Sequence, residues 1–312
     1  MSKEPLIFSV TRNNLKDGAG IRTAVFFKGC NLKCPWCHNP ESIEPTAQIA
    51  FYANRCIQCG SCVSECPRVA CQLDRGTRID RAICTNCGEC AQACPSGALE
   101  LVGRHYEIPD LVDLLVRDKP FYDASGGGVT LSGGEPTLYC EYCSDLISAL
   151  GKRGVNVAIQ TNGTFQWRTF EDFILPHVEL VMFDVKIADP ATHERLTGVT
   201  NAQILSNLRM MASRGLEKLL VRVPLVPGFT SGPDNYHSLA EVFRNLRITR
   251  VALLPYNTSG IHKAEALGRA PDTRLPRRGL TEAEESTYRG SFAGFELVDM
   301  EEYALRRAFK HR

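Results

Sequence analysis

Six short runs along the chain are rich in β-branched and apolar residues: 23–28, 129–132, 157–161, 180–185, 219–226 and 251–256. Each has the length and composition of a buried strand. Helical patterns fall between them, at 109–117, 142–152, 170–175, 202–214 and 236–245. In the fourth of these, Ile204, Leu205, Leu208 and Met211 recur on one face at helical spacing. Gly154 and Gly215 stand where helix ends are expected. Strands alternating with helices predict an α/β fold of parallel strands joined by right-handed crossovers. A chain of 312 residues accommodates one α/β barrel of about 250 residues with a small additional module.

The additional module is visible as a foreign block at 51–102, between the first and second strand. It contains two copies of one pattern, CIQCGSCVSECP and CTNCGECAQACP, with starts 28 residues apart. Such a repeat marks an inserted domain, leaving 1–50 and 103–312 for the barrel. Every unusual polar motif lies just after a strand. CNLKCPWC follows the first, SGGEP the second, TNG the third, DVK the fourth, VPG the fifth and PYN the sixth. Active sites of parallel α/β barrels are built from loops at the C-terminal ends of the strands, so these six motifs predict one site.

Composition narrows the chemistry. Apolar residues are 44% and charged residues 23%, with a net charge of +1. No strong field favours a nucleic-acid or anionic-membrane partner. No apolar run approaches the ~20 residues of a membrane span. The start, MSKEPLIFSV, has neither the basic end nor the apolar stretch of a secretory signal, and the expected location is the cytoplasm. There are 14 cysteines. A disulfide scaffold would be a short exported chain. In a reducing compartment, clustered cysteines bind metal.

Both repeats read C-x2-C-x2-C-x3-C-P, the bacterial ferredoxin spacing, in which the fourth cysteine serves the other cluster. One 4Fe–4S cluster is therefore assigned to Cys56, Cys59, Cys62 and Cys94, and another to Cys84, Cys87, Cys90 and Cys66. Four thiolates leave no open iron, which suits electron transfer. Paired zinc sites would show two CxxC pairs with a spacer, a poorer match. A third motif, Cys30-x3-Cys34-x2-Cys37, can hold a cubane by three irons and leave the fourth for an amino acid's amino and carboxylate groups. Spacing alone also permits a remote fourth ligand, with Cys71, Cys140 or Cys143 available. SGGEP read as a phosphate loop lacks a following Walker lysine.

CxxxCxxC after the first strand, with Trp36 beside the last cysteine, and SGGEP after the second resemble the radical S-adenosylmethionine superfamily. A narrower resemblance covers nearly the whole chain. DGAGIRT, FFKGCNLKCPWCHNPES, GGGVTLSGGEP, TNG, LVMFDVK, RVPLVPGF and LLPYN are similar to the glycyl radical enzyme activating enzymes. The double insert resembles the larger branch of that family. The resemblance implies a partial (β/α)6 TIM-like barrel with an inserted ferredoxin-like domain carrying two 4Fe–4S clusters. It implies a third cluster on Cys30, Cys34 and Cys37, and S-adenosylmethionine as cofactor. It also implies a partner glycyl radical enzyme, a glycine of which loses hydrogen to a 5′-deoxyadenosyl radical.

Carried over by position, Trp36 lies near the adenine, and Gly133, Gly134 and Glu135 hold the amino group. Asp184, Lys186 and Arg222 fix the carboxylate and ribose. His38 acts on the cluster from outside its ligand shell. Ala19 replaces a usual proline. Asn257 replaces a frequent histidine beside the adenosyl group; it can donate and accept but not titrate. Gln160 replaces an aspartate that in a short family member helps hold a monovalent cation, and a neutral side chain weakens such a site. Cys71, Cys140 and Cys143 read as buried thiols. The expected state is a monomer reduced by a flavodoxin or ferredoxin. A radical maturase of another protein or peptide would usually carry auxiliary-cluster cysteines after the barrel, and none follows Cys143. A simple electron carrier would have no use for SGGEP.

Overall fold

The computed structural model describes residues 4–73 and 78–308. Its ten strands are β1 (Ile7–Asn14), β2 (Arg22–Phe27), β3 (Gln48–Phe51), β4 (Leu99–Val102), β5 (Gly128–Gly133), β6 (Val157–Thr161), β7 (Leu180–Asp184), β8 (Leu219–Leu225), β9 (Arg250–Pro255) and β10 (Glu296–Leu297). The six apolar runs become β2 and β5 to β9, which lie side by side in that order, each parallel to the next. β1 pairs antiparallel on the outside of β2, and β10 adds two parallel residues to β9. The main sheet is thus mostly parallel, with crossover helices between successive strands.

Side chains alternate between the two faces of each strand. Val129, Leu131, Ile159, Val181, Phe183 and Val221 belong to the large core under the helices. The opposite face changes character along the strands. Near their N-terminal ends, Ala158, Leu180, Met182, Leu220 and Ala252 form a second apolar cluster with Val298 and Met300. Two residues further on, the same face carries Ser132, Gln160, Asp184 and Arg222. Apolar packing therefore closes one end, and polar side chains gather at the C-terminal ends.

The helix 202–214 has the limits its periodicity predicts, with Ile204, Leu208 and Met211 buried. The helices at 108–115, 140–152, 167–173 and 233–245 match the other four patterns to within a few residues. Further helices at 119–125, 190–197, 259–266, 282–290 and 300–308 were not legible as apolar periodicity. The helix 282–290 buries no side chain and is started instead by a capping box between Thr281 and Glu284. β1 escaped the same reading because half-exposed and polar residues fill its second half.

The cysteine-rich segment is framed by the antiparallel pair of β3 and β4, Gln48 opposite Val102 and Phe51 opposite Leu99. The pairing reaches back to Gln48, slightly before residue 51. Each repeat contributes one helical turn, 61–64 and 89–92, and each turn follows a glycine at positive φ, Gly60 and Gly88. Ile49, Cys62, Cys71, Ile79, Cys90 and Leu99 form this segment's own small core.

Candidate active site

The loop after β2 carries Cys30, Cys34 and Cys37 over the C-terminal end of β5. Gly133 and Gly134 allow this. A Cβ on Gly134 would lie 2.1 Å from the carbonyl oxygen of Gly29, and one on Gly133, whose φ is +104°, would lie 2.3 Å from the Phe27 nitrogen. The two backbones meet through Gly134 N–H to Phe27 O (2.9 Å) and Glu135 N–H to Gly29 O (2.8 Å). The loop's return is tied by Gly29 N–H to Ser42 O (2.7 Å) and Cys30 N–H to Ile43 O (3.1 Å). Lys28, fully buried, donates to the Glu41 carbonyl and to Gln48 Oε1 at the start of β3. Burial pushes its pKa down to about 8.

Cys34 is buried and Cys30 and Cys37 half-buried. Burial raises all three thiols above the ordinary range, Cys30 to about 12. Desolvation disfavours each thiolate unless a cationic group replaces its proton. Asn162 Nδ2 approaches Cys30 Sγ at 3.7 Å.

Glu135 is fully buried. Its Oε1 accepts from Thr137 N–H (3.2 Å), Thr137 Oγ1 (2.6 Å) and Thr161 Oγ1 (2.8 Å), and its Oε2 from Asn162 N–H (2.6 Å). Burial raises its pKa, and these donors oppose the rise. The carboxylate thus fastens the ends of β5 and β6 together beneath Cys30. Glu135→Gln replaces one acceptor oxygen by a donor, so at least one N–H or O–H loses its acceptor. The expected loss of stability is about 1–3 kcal/mol, read from the urea midpoint. A midpoint equal to the parent's would show that the four bonds contribute nothing.

Asp184, Lys186 and Arg222 come together. Arg222 Nε donates to Asp184 Oδ1 at 2.7 Å, and Lys186 Nζ to Oδ2 at 3.1 Å. Burial works against the Asp184 charge, but the two cations outweigh it and hold its pKa below the usual carboxylate value. Burial also works against the Lys186 ammonium, but Asp184 and the sulfur of Cys34 raise it. The triad carries a net positive charge beside the cysteine loop.

Trp36 sits in an apolar cluster with Leu32, Ile187, Val226 and Tyr256, its ring 5.6 Å from that of Phe229. His38 Nε2 bonds Ser259 Oγ at 2.8 Å, and burial, with Lys263 nearby, lowers its pKa. The helix 259–266 packs its Gly260 against the Cys37 carbonyl. Asn257 is exposed, and its Oδ1 accepts from Ser259 N–H at 2.9 Å, at the start of that helix. Gln160 accepts from Ser132 Oγ at 2.6 Å and donates to Asp17. Burial raises the Asp17 pKa, with Arg222 opposing. The Asp17, Thr161 and Asn162 contacts lie in the DGAGIRT and TNG motifs, though spacing did not assign them roles. Cys143 is fully buried with its thiol toward Pro136 O (3.3 Å), and Cys140 points to Thr137 O (3.0 Å).

The cysteine-rich segment contains two cavities. One is lined by Cys56, Cys59, Cys62 and Cys94. The other is lined by Cys66, Cys84, Cys87 and Cys90. In each, three thiols come from one repeat and the fourth from the other. Among the described residues, no three Cys, His, Asp or Glu side chains converge closely enough to share one metal ion. Thiols dispersed around a cavity suit a multi-iron group better than a single zinc at about 2.3 Å from each sulfur.

A strand-end cysteine loop braced by a buried glutamate matches a known family. Residues 24–233 match the radical SAM superfamily model, and the chain belongs to that superfamily. Three relatives narrow the class. The choline trimethylamine-lyase activating enzyme of Oleidesulfovibrio alaskensis is 39% identical over 86% of this chain and 88% of its own. The benzylsuccinate synthase activating enzyme of Thauera aromatica is 39% identical over 86% and 83%. The (2S)-3-sulfopropanediol dehydratase activating enzyme of Klebsiella oxytoca is 36% identical over 86% and 87%. Within the superfamily, the chain is a member of the glycyl radical enzyme activating enzymes.

Proposed function

We propose that this chain holds three 4Fe–4S clusters and S-adenosylmethionine in a partial six-stranded barrel with a ferredoxin-like insert, and uses them to activate a partner glycyl radical enzyme. The observation that carries the cluster count is the pair of cavities, each lined by a crossed quartet of thiols. Cys30, Cys34 and Cys37 would hold the third cluster. Together, cluster and cofactor supply one-electron chemistry that ends with a hydrogen atom removed from a glycine of the partner.

The chain's own residues bind, orient and exclude water. The positive triad of Asp184, Lys186 and Arg222 attracts and orients the cofactor's carboxylate and ribose. Glu135, with Gly133 and Gly134, fixes the loop that faces its amino group, and the remaining acceptor capacity of Oε2 is available to an ammonium. Trp36 and its apolar neighbours keep water from the adenine side. Asn257 closes the β9 end. His38 steadies the cysteine loop through Ser259. No helix among the described residues is long and apolar enough to cross a membrane; we place the protein in the cytoplasm, as a monomer.

The direct test is anaerobic. Protein with dithionite and S-adenosylmethionine should yield 5′-deoxyadenosine, and with a cognate partner a glycyl radical signal by electron paramagnetic resonance. Deoxyadenosine without radical on any glycyl radical enzyme would favour a maturase of other substrates. The insert is assigned to electron relay from a flavodoxin or ferredoxin. Cys56→Ala with Cys84→Ala should abolish activity driven by flavodoxin while leaving activity driven by dithionite. Loss of radical transfer with both reductants, with cofactor cleavage intact, would assign the insert to partner docking instead.

A further inference from the structure

The two quartets are copies of one pattern, but their surroundings differ. Arg78 lines the first cavity only. It is 4% exposed. One terminal nitrogen donates to Cys56 Sγ at 3.2 Å and the other to Gln72 O at 3.4 Å. Its guanidinium carbon lies 5.5 Å from the centre of the Phe51 ring, and its buried Nε has no hydrogen-bond partner. No carboxylate among the described residues pairs with it. Its backbone is held at φ +57°, which disfavours any residue but glycine. A guanidinium stays charged in a protein. Burying one with no anion opposite among the described residues is strongly unfavourable, which favours an anionic occupant of this cavity.

Beside the second cavity Arg68 is exposed. Arg81 is half-buried and its buried Nε also has no hydrogen-bond partner, but its terminal nitrogens donate to the carbonyls of Ile49 and Ala266 and not to a sulfur. In the repeat, Cys71 stands where Leu99 stands in the other copy, and both are buried in the segment's core. Among the described residues, only the first quartet has a ligand sulfur that receives a hydrogen bond from a cation.

We propose that Arg78 is the counter-ion of the cluster held by Cys56, Cys59, Cys62 and Cys94, and makes it the more readily reduced of the two clusters in this segment. This rests on the three-cluster reading. With four thiolates, a 4Fe–4S core of charge 2+ carries a net 2−. One electron from a low-potential reductant, dithionite or a flavodoxin, takes the core to 1+ and the net charge to 3−. No bond breaks and no proton is required. A fixed cation at the sulfur favours the more negative state, and charge and hydrogen bonds at the sulfurs set the potential.

The test is a redox titration of the reconstituted full chain, followed by electron paramagnetic resonance and iron analysis. Arg78→Gln should weaken reduction of one cluster at least tenfold, which is 59 mV for one electron, and leave two couples in place. The couple that moves should be the higher of the two that survive when Cys30, Cys34 and Cys37 are replaced. Arg78→Lys, which keeps the charge, should restore most of the shift. Three unmoved couples at unchanged iron in Arg78→Gln would overturn the proposal, as would movement of the lower couple. If Arg78→Gln loses one cluster's iron, restoration by lysine supports the counter-ion, and equal loss in both variants overturns it. A parent with only one cluster's iron would instead overturn the three-cluster reading.

Discussion

Replacing Cys30, Cys34 and Cys37 together by alanine should lower bound iron from about 12 to about 8 atoms per chain and abolish formation of 5′-deoxyadenosine. The loss should be complete, because only an iron without a fourth protein ligand can take the cofactor's amino and carboxylate groups. The rival arrangement gives that iron a remote cysteine. The three spare cysteines lie elsewhere: Cys140 points to Thr137 O, Cys143 to Pro136 O, and Cys71 is buried in the small core of the cysteine-rich segment. Iron counted after anaerobic reconstitution and deoxyadenosine counted by chromatography check the two halves separately. Retained cleavage in the triple variant would show that the reacting cluster lies elsewhere.

The parallel sheet was legible because its strands are covered on both faces. β6 and β7 read as short unbroken apolar runs, and only their last inward residues, Gln160 and Asp184, break the pattern. Those breaks mark the site, since a polar residue at a strand's C-terminal end faces the ligand side of an α/β sheet. β1 was not legible, being an edge strand with an exposed second half. Helix 282–290 is specified by its cap and not by burial. The grouping of the cysteines around two cavities was legible, because the x2–x2–x3 spacing is the one expected of a chain that wraps one cluster. Arg78 was not. Nothing in its sequence neighbourhood separates a buried arginine from the many solvated arginines of an ordinary surface. The four internal donors to Glu135 were not legible, since they come from Thr137, just after SGGEP, and from the separate TNG loop, and depend on how β5 and β6 align.

Asp184→Ala should destabilise the protein by about 3–5 kcal/mol, the usual cost of removing one partner from a buried ionic group. The side chains of Lys186 and Arg222 are only 12% and 10% exposed. Without the carboxylate, two cations face one another with little water to screen them. Asp184→Asn should lose nearly as much, since it keeps the shape and removes the charge. The pH dependence has a definite sign. The cations hold the folded pKa of Asp184 below its ordinary value, so the unfolded chain binds this proton more readily than the folded one. Its contribution is therefore fully present above the unfolded carboxylate pKa of about 3.9. It falls away as the pH drops below that value and through the lower folded pKa. The difference between parent and variant should be constant from neutral pH down to about 5 and should shrink in more acidic solution. Urea midpoints of the parent and both variants across that range measure it. A difference that grows on acidification, or one below about 1 kcal/mol at neutral pH, would mean that the triad is solvated like a surface ion pair. Its positive charge would then be screened as well, and the proposed anchoring of the cofactor's carboxylate by Lys186 and Arg222 would fail with it.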